Sequence, residues 1–118
     1  MNRQAREKAG RRAETLAVWF LRLKGYRILA RRLKTYKGEI DILARKGTNL
    51  IVVEVKQRQT LDRAEESLKP MDWSRISAAA QSHIANTADL QNLGLRYDVV
   101  FLIGRWKLVH HPDFWRAH

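Results

Sequence analysis

The sequence predicts a mixed α/β fold in the order αβββαββ, with helices covering a sheet. Three observations predict it. Residues 5–24 repeat apolar side chains every three or four positions. Two apolar runs, EIDILARK and NLIVVEVKQ, flank a short Gly-Thr turn. A second helical pattern from Asp72 is followed by two more β-rich runs. At 118 residues and 45% hydrophobic, the chain suits one compact domain over residues 1–118.

The first helix rests on Ala9, Ala13, Leu16, Ala17, Phe20 and Leu21, which fall on one stripe. Gly25 ends it as the residue after the C-cap. Arg3, Arg11, Arg12 and Arg22 are left for the other faces. Tyr26 to Tyr36 reads as a strand. The next two strands form a hairpin, and Ile51-Val52-Val53 strongly favours extended backbone. Residues 59–71 are polar, contain Pro70 and read as a loop, with room for one helical turn. Asp72 is the expected N-cap of a helix running to about Asn86, with Ile76, Ala79, Ala80 and Ile84 spaced for burial. After a polar loop, RYDVVFLIG and WKLVHH read as two strands. The tail PDFWRAH is expected to add a short terminal helix.

Charge narrows the function. Residues 1–37 hold twelve Lys and Arg against two acids, a net of +10, whereas residues 38–118 hold eleven basic and ten acidic residues, a net of +1. Each cation placed at a phosphate releases counterions, so a basic segment on an otherwise neutral domain suits a polyanion binder. An anionic membrane is disfavoured, because the basic segment has no matching stripe of large apolar anchors. With no cysteine, neither disulfides nor a thiolate metal site can form, and a reducing compartment fits. The basic start of the chain is not followed by the apolar stretch of a secretory signal, and no apolar run approaches a membrane span. The expected location is the cytoplasm.

The hairpin carries the chemistry. A two-residue turn at Gly47-Thr48, type II′ with Gly first, pairs residues whose numbers sum to 95. Asp41 then faces Glu54, with Cβ atoms about 4.5–5.5 Å apart. Lys56 lies two residues beyond Glu54 on the same face, with Leu43, Leu50 and Val52. Ile40, Ile42, Val53 and Val55 fill the other face, towards a helix. Two opposed carboxylates repel, and a divalent cation such as Mg²⁺ or Mn²⁺ offsets that better than Lys56 does. A metal there could activate water against a phosphodiester, with Lys56 orienting it or stabilising charge. The competing reading is a solvated strand face with a cross-strand ion pair, such as Glu39 with Lys56.

GEIDILA followed by VVEVKQR resembles the signature of the bacterial YraN family of uncharacterised, endonuclease-like proteins. It is similar to the PD-(D/E)XK pattern of restriction-endonuclease-like nucleases, among them Holliday-junction resolvases. AETLAVWFLRLKGYRILARR resembles the family's opening helix and first strand, and RYDVV its late strand. The resemblance implies a restriction-endonuclease-like core, with Asp41 and Glu54 as metal carboxylates and Lys56 as catalytic lysine. It implies Glu14 as an additional acid from the helix, and Arg58 matches the family arginine. Two positions depart from the pattern. Arg31-Arg32 stands where an Arg-Asn pair is usual, and Asp72 stands near a usual lysine, a role Lys69 can fill if the alignment slips.

Arg31, Arg32, Lys34 and Lys37 approach the motif from the preceding strand and, with Arg11, Arg12 and Arg58, are the expected phosphate contacts. Taken alone, Glu14 also reads as an ordinary exposed helix acid. Arg96 and Asp98 read as a structural ion pair. His83, His110, His111 and His118 lack zinc spacing. Of Trp19, Trp73, Trp106 and Trp115, all favoured as packing residues, Trp73 is the best candidate to stack on a base. The leading expectation is a Mg²⁺- or Mn²⁺-dependent nuclease on DNA, favoured over RNA, with branched or damaged DNA as candidate substrates. A junction cutter needs two active sites, which is the argument for a homodimer. The alternatives are a nucleic-acid-binding module that cleaves nothing and a structural protein on ribosomal RNA.

Overall fold

A computed structural model describes residues 2–68 and 72–116. Its elements are α1 (Arg3–Leu23), β1 (Arg27–Thr35), β2 (Gly38–Lys46), β3 (Asn49–Arg58), α2 (Leu61–Glu66), α3 (Trp73–Ala85), a 3-10 turn (Ala88–Leu90), β4 (Gly94–Ile103) and β5 (Lys107–Trp115). The five strands form one mixed sheet in the order β1-β2-β3-β4-β5. Only β3 and β4 are parallel, and α2 and α3 make the crossover between them. This is an α/β sheet flanked by helices, consistent with a restriction-endonuclease-like core.

Local chemistry explains the boundaries. Asn2 caps α1 by accepting from the Ala5 N–H, and Asp72 caps α3 by accepting from the Arg75 N–H. Helix α1 closes in a Schellman motif: Gly25 takes φ +89° and donates to the Arg22 carbonyl, and Tyr26 donates to that of Leu21. The β2–β3 turn has Gly47 at φ +60°, and the ladder from Lys46↔Asn49 to Ile42↔Val53 keeps the predicted sum of 95.

Two apolar layers lie on opposite faces of the sheet. Ala17, Val18 and Leu21 of α1 pack with Tyr26, Ile42, Ala44, Ile51, Val53 and Val100. Trp73, Ala79 and Ala80 of α3 pack with Ile40, Leu43, Leu50, Val52, Tyr97, Val99 and Phe101.

Four expectations need correction. The helical turn allowed in 59–71 is longer than one turn: a six-residue helix, α2, capped by the Thr60 hydroxyl, which accepts from the Arg63 N–H. The tail is strand rather than helix through Trp115. β5 continues across Pro112 because Asp113, at φ +51°, makes an irregularity where its N–H binds the Asp98 carboxylate instead of a ladder carbonyl. Trp19 and Trp106, favoured as packing residues, are instead 59% and 71% exposed, whereas the favoured packing role is the one taken by Trp73. Trp73 is buried, stacks on Trp115 at 5.6 Å between centroids and meets Tyr97 edge-on. Ile40, finally, packs on the α3 side, opposite to Ile42. Lys69, Pro70 and His118 lie outside the described residues.

Candidate active site

The side-chain alternation breaks at one level of the sheet, and the acids sit there. In β1, Arg32 adopts φ +50°, a left-handed conformation that costs a non-glycine residue about 1–3 kcal/mol. Its neighbours Ala30 and Leu33, three residues apart, both pack towards α3. Arg31 and Arg32 therefore both turn towards α1. The β1–β2 ladder pairs Arg31↔Ile42 and Leu33↔Ile40 but skips Arg32 and Asp41. The β2–β3 ladder stops at Ile42↔Val53, one step before Asp41 and Glu54. The two acids thus lie just past the end of their ladder rather than as a hydrogen-bonded strand pair. Asp41 fills the gap with its side chain: Oδ2 accepts from the Val55 N–H at 2.9 Å.

The split gives the acids different outlooks. Asp41 opens on a cleft of about 460 Å³ on the α1 side, with Glu7, Gly10, Arg11, Glu14, Arg32 and Glu39. Glu54 and Lys56 open on a cleft of about 500 Å³ on the α3 side, with Glu39, Arg58, Asp72 and Arg75. Glu39 lines both clefts, and the charge of Asp41 acts on Glu54 between them. The expectation that Asp41 shares one strand face with Glu54 and Lys56 is corrected by this break.

Electrostatically, Glu54 is the anomalous group. It is 7% exposed, and its Oε1 has no hydrogen-bond partner among the described residues. Burial pushes its carboxyl up to about 9, the charge and hydrogen bond of Asp41 push the same way, and Lys56 opposes them. Lys56 forms no ion pair among the described residues, so the alternative Glu39–Lys56 bridge is not made.

Glu14 is buried, at 5% exposure, rather than lying on solvent as an ordinary helix acid would. It accepts from Arg31 Nε and Arg32 Nε, each at 3.3 Å. Those two arginines are therefore committed to Glu14 on their inner side, though their side chains remain about 41% and 39% exposed. Arg11, Lys34 and Lys37 are exposed, and Arg12 is half-buried. Arg58 lines the Lys56 cleft with Nη1 donating to the Gln57 carbonyl at 2.7 Å. Arg75, which sequence reasoning missed, lines the same cleft beside Asp72 and adds a cation to it. Its signal is its place three residues after the cap Asp72, in the first turn of α3.

The remaining candidates are structural. Asp98 is fully buried and takes a two-pronged bond from Arg96 (2.9 Å to each oxygen), with His110 Nε2 at 2.7 Å. Burial raises the Asp98 carboxyl, but hydrogen bonds from His110, Arg96 and the Asp113 N–H outweigh it and hold it down at about 2. His111 packs edge-on against Phe101 and Phe114. No cluster of three or more His, Asp or Glu arranged for a metal occurs among the described residues, and no described helix is long and apolar enough to cross a membrane. The carboxylate group is thus a pair.

The exposed lysines at the β1–β2 end of the sheet, expected from the sequence as phosphate contacts, can be tested directly. Replacing Lys34 and Lys37 together by alanine is expected to flatten the plot of log binding constant against log salt. The slope should fall by about 1 for each phosphate that the lysines neutralise. Fluorescence anisotropy of labelled DNA across a salt series reads it, and an unchanged slope removes these lysines from any DNA contact.

Comparison with known proteins identifies a family. The model of the Uncharacterised protein family UPF0102 matches residues 13–102, which span α1 to β4. Among curated relatives, a UPF0102 protein of Paramagnetospirillum magneticum is 47% identical over 118 residues, covering 96% of this chain and 91% of its own length. One from Parvibaculum lavamentivorans is 49% identical over 109 residues, covering 92% and 82%. One from Bartonella bacilliformis is 43% identical over 122 residues, covering 100% and 99%. On this match the chain belongs to the uncharacterised protein family UPF0102.

Proposed function

We propose that the chain is a metal-dependent nuclease that hydrolyses DNA phosphodiesters, with branched or damaged DNA as its favoured substrates. The observation that carries this reading is Glu54, a buried carboxyl group with one unsatisfied oxygen, beside a second carboxylate and two residues from a lysine without an ion pair among the described residues. An unsatisfied buried oxygen costs about 1–3 kcal/mol, so its retention calls for a partner. A hard divalent cation fits the donors, which are carboxylate oxygens with no sulfur or imidazole among them. Asp41 and Glu54 would hold Mg²⁺ or Mn²⁺. When bound, such an ion supplies Lewis-acid polarisation of a phosphoryl oxygen and lowers the pKa of a bound water.

The chain's own residues supply the rest. Lys56 opens on the same cleft as Glu54, suited to orient a water and to stabilise charge gathering on the phosphoryl oxygens. Arg58 and Arg75 line that cleft as anchors for flanking phosphates. Glu14 fixes Arg31 and Arg32 and so maintains the break in the sheet that frees Asp41. In the net reaction the water oxygen bonds to phosphorus and one ester oxygen leaves with a proton.

The test is cleavage of labelled single-stranded, duplex, flap and four-way-junction DNA, plus RNA, with Mg²⁺ or Mn²⁺ and with chelator. Cuts that need metal and fall about a hundredfold in Lys56→Ala are expected. Salt-sensitive binding with no cutting of any member of the panel overturns the nuclease reading in favour of a binding module.

A further inference from the structure

The β4–β5 turn carries an aromatic group that the fold does not use. Trp106 is 71% exposed at its tip, a large apolar side chain with no packing role. The Arg12 guanidinium lies 4.5 Å from the ring centroid, and among the described residues it is the ring's only cationic or aromatic neighbour. Arg12 is itself pinned there, since its Nη2 donates to the Arg105 carbonyl at 2.7 Å. One ring face is thus backed by a fixed cation, and the rest of the ring meets solvent.

The turn is also tied to the candidate active site. Gly104 turns the chain at φ +61°. Its N–H donates to the Arg58 carbonyl at 2.8 Å, and its own carbonyl accepts from Gln57 Nε2 at 3.0 Å. Gln57 and Arg58 directly follow Lys56 on β3. The exposed ring is therefore held at the sheet end that carries the lysine, between Arg105 and Lys107 and against the basic helix α1.

We propose that Trp106, backed by Arg12, is a stacking platform for an unpaired base of DNA whose phosphates run over the surrounding cations. A flat aromatic face stacks on any base, and a guanidinium behind it adds a charge for the phosphate chain. A fully paired duplex offers such a ring only edges and backbone, because its base faces are already stacked. The platform selects strands with unpaired bases at the end of the sheet where β3 runs out past Lys56. It deepens the nuclease reading and rests on that reading for the meaning of its position.

Binding and cutting are tested separately. Anisotropy in chelator compares wild type, Trp106→Ala and Trp106→Phe on an oligo-dT strand, a splayed-arm duplex and a blunt duplex. Trp106→Ala is expected to weaken the first two about tenfold and to leave the blunt duplex unchanged, with Trp106→Phe retaining most of the affinity. Equal losses on all three DNAs, or no loss on any, overturn the platform. Cleavage of the same DNAs in Mg²⁺ reads the nuclease on its own. Cutting with unaltered binding in Trp106→Ala sinks only the platform, whereas Trp106-dependent binding without cutting sinks only the nuclease.

Discussion

Glu54→Gln is expected to make the protein more stable and to end metal-dependent cleavage. The wild-type carboxyl is raised to about 9 by burial and by Asp41, against 4.5 in the unfolded chain. The folded state therefore binds more protons between those values, and stability falls as pH rises through that window. The contribution is fully present below about pH 4.5 and lost on passing 9. At pH 7 the cost of keeping that proton is at most about 3 kcal/mol, from 1.36 kcal/mol per pH unit. Glutamine keeps the shape without the charge, so a gain of about 1–3 kcal/mol follows. For a chain of this size that is roughly 5–15 °C in Tm. The variant also loses the downward slope of stability with pH.

Metal separates this from a merely buried acid. A cation bound by Asp41 and Glu54 must displace the proton on Glu54, so Mg²⁺ is expected to raise the wild-type Tm more at about pH 8.5 than at about pH 6. Glu54→Gln should show no such increment. Its cleavage should fall by more than about a hundredfold, because loss of a direct ligand exceeds what outer-shell changes cost. Equal Mg²⁺ responses in variant and wild type would remove these acids from any metal site, whatever the activity.

What the sequence made legible, and what it hid, follow from how local each determinant is. The register of the hairpin depends on Gly47 and an alternation of apolar residues, both visible within a short stretch, and the ladder obeys it from Lys46 to Ile42. Gly25 and Asp72 set helix ends by their own backbone chemistry. The break at Arg32 and Asp41 is different. A left-handed arginine has no signature in composition. Its cost is met by hydrogen bonds from a distant helix, where Glu14 binds both Arg31 and Arg32. The pattern of alternation therefore carried Ile40 and Asp41 to the wrong sides. The same holds for β5, where Pro112 signals a stop but Asp98, fifteen residues away from Asp113, supplies the acceptor that lets the strand continue. Trp73 reads as a packing residue and is one, stacked on Trp115, whereas Trp19 and Trp106 read the same way and are exposed. Arg75 sits next to an ordinary cap residue, so its place in the Lys56 cleft emerges only with the tertiary fold.

Asp98→Ala is expected to be the most destabilising single change, costing about 3–5 kcal/mol, because it strands a charge that is now paired in the interior. Asp98 gathers Arg96, His110, the Asp113 N–H and, at 3.4 Å, the Tyr26 hydroxyl. Arg96 also donates to the Tyr26 hydroxyl at 2.6 Å. The cluster joins the chain leaving α1 to β4 and β5 through a buried carboxylate. Its acid limit has a definite sign. The carboxyl is held at about 2 against 3.8 unfolded, so its contribution is present above pH 3.8 and is lost as pH falls through 2. That contribution is about 2 kcal/mol in wild type, and Asp98→Asn should lose it at neutral pH. Urea unfolding at about pH 7 and about pH 3 measures both quantities. A loss under about 1 kcal/mol in Asp98→Ala would mean that the apolar layer of Ala17, Val18 and Leu21 fastens α1 to the sheet without help from this cluster. The placement of Glu14, and with it the break that exposes Asp41, would then rest on apolar packing rather than on this buried charge.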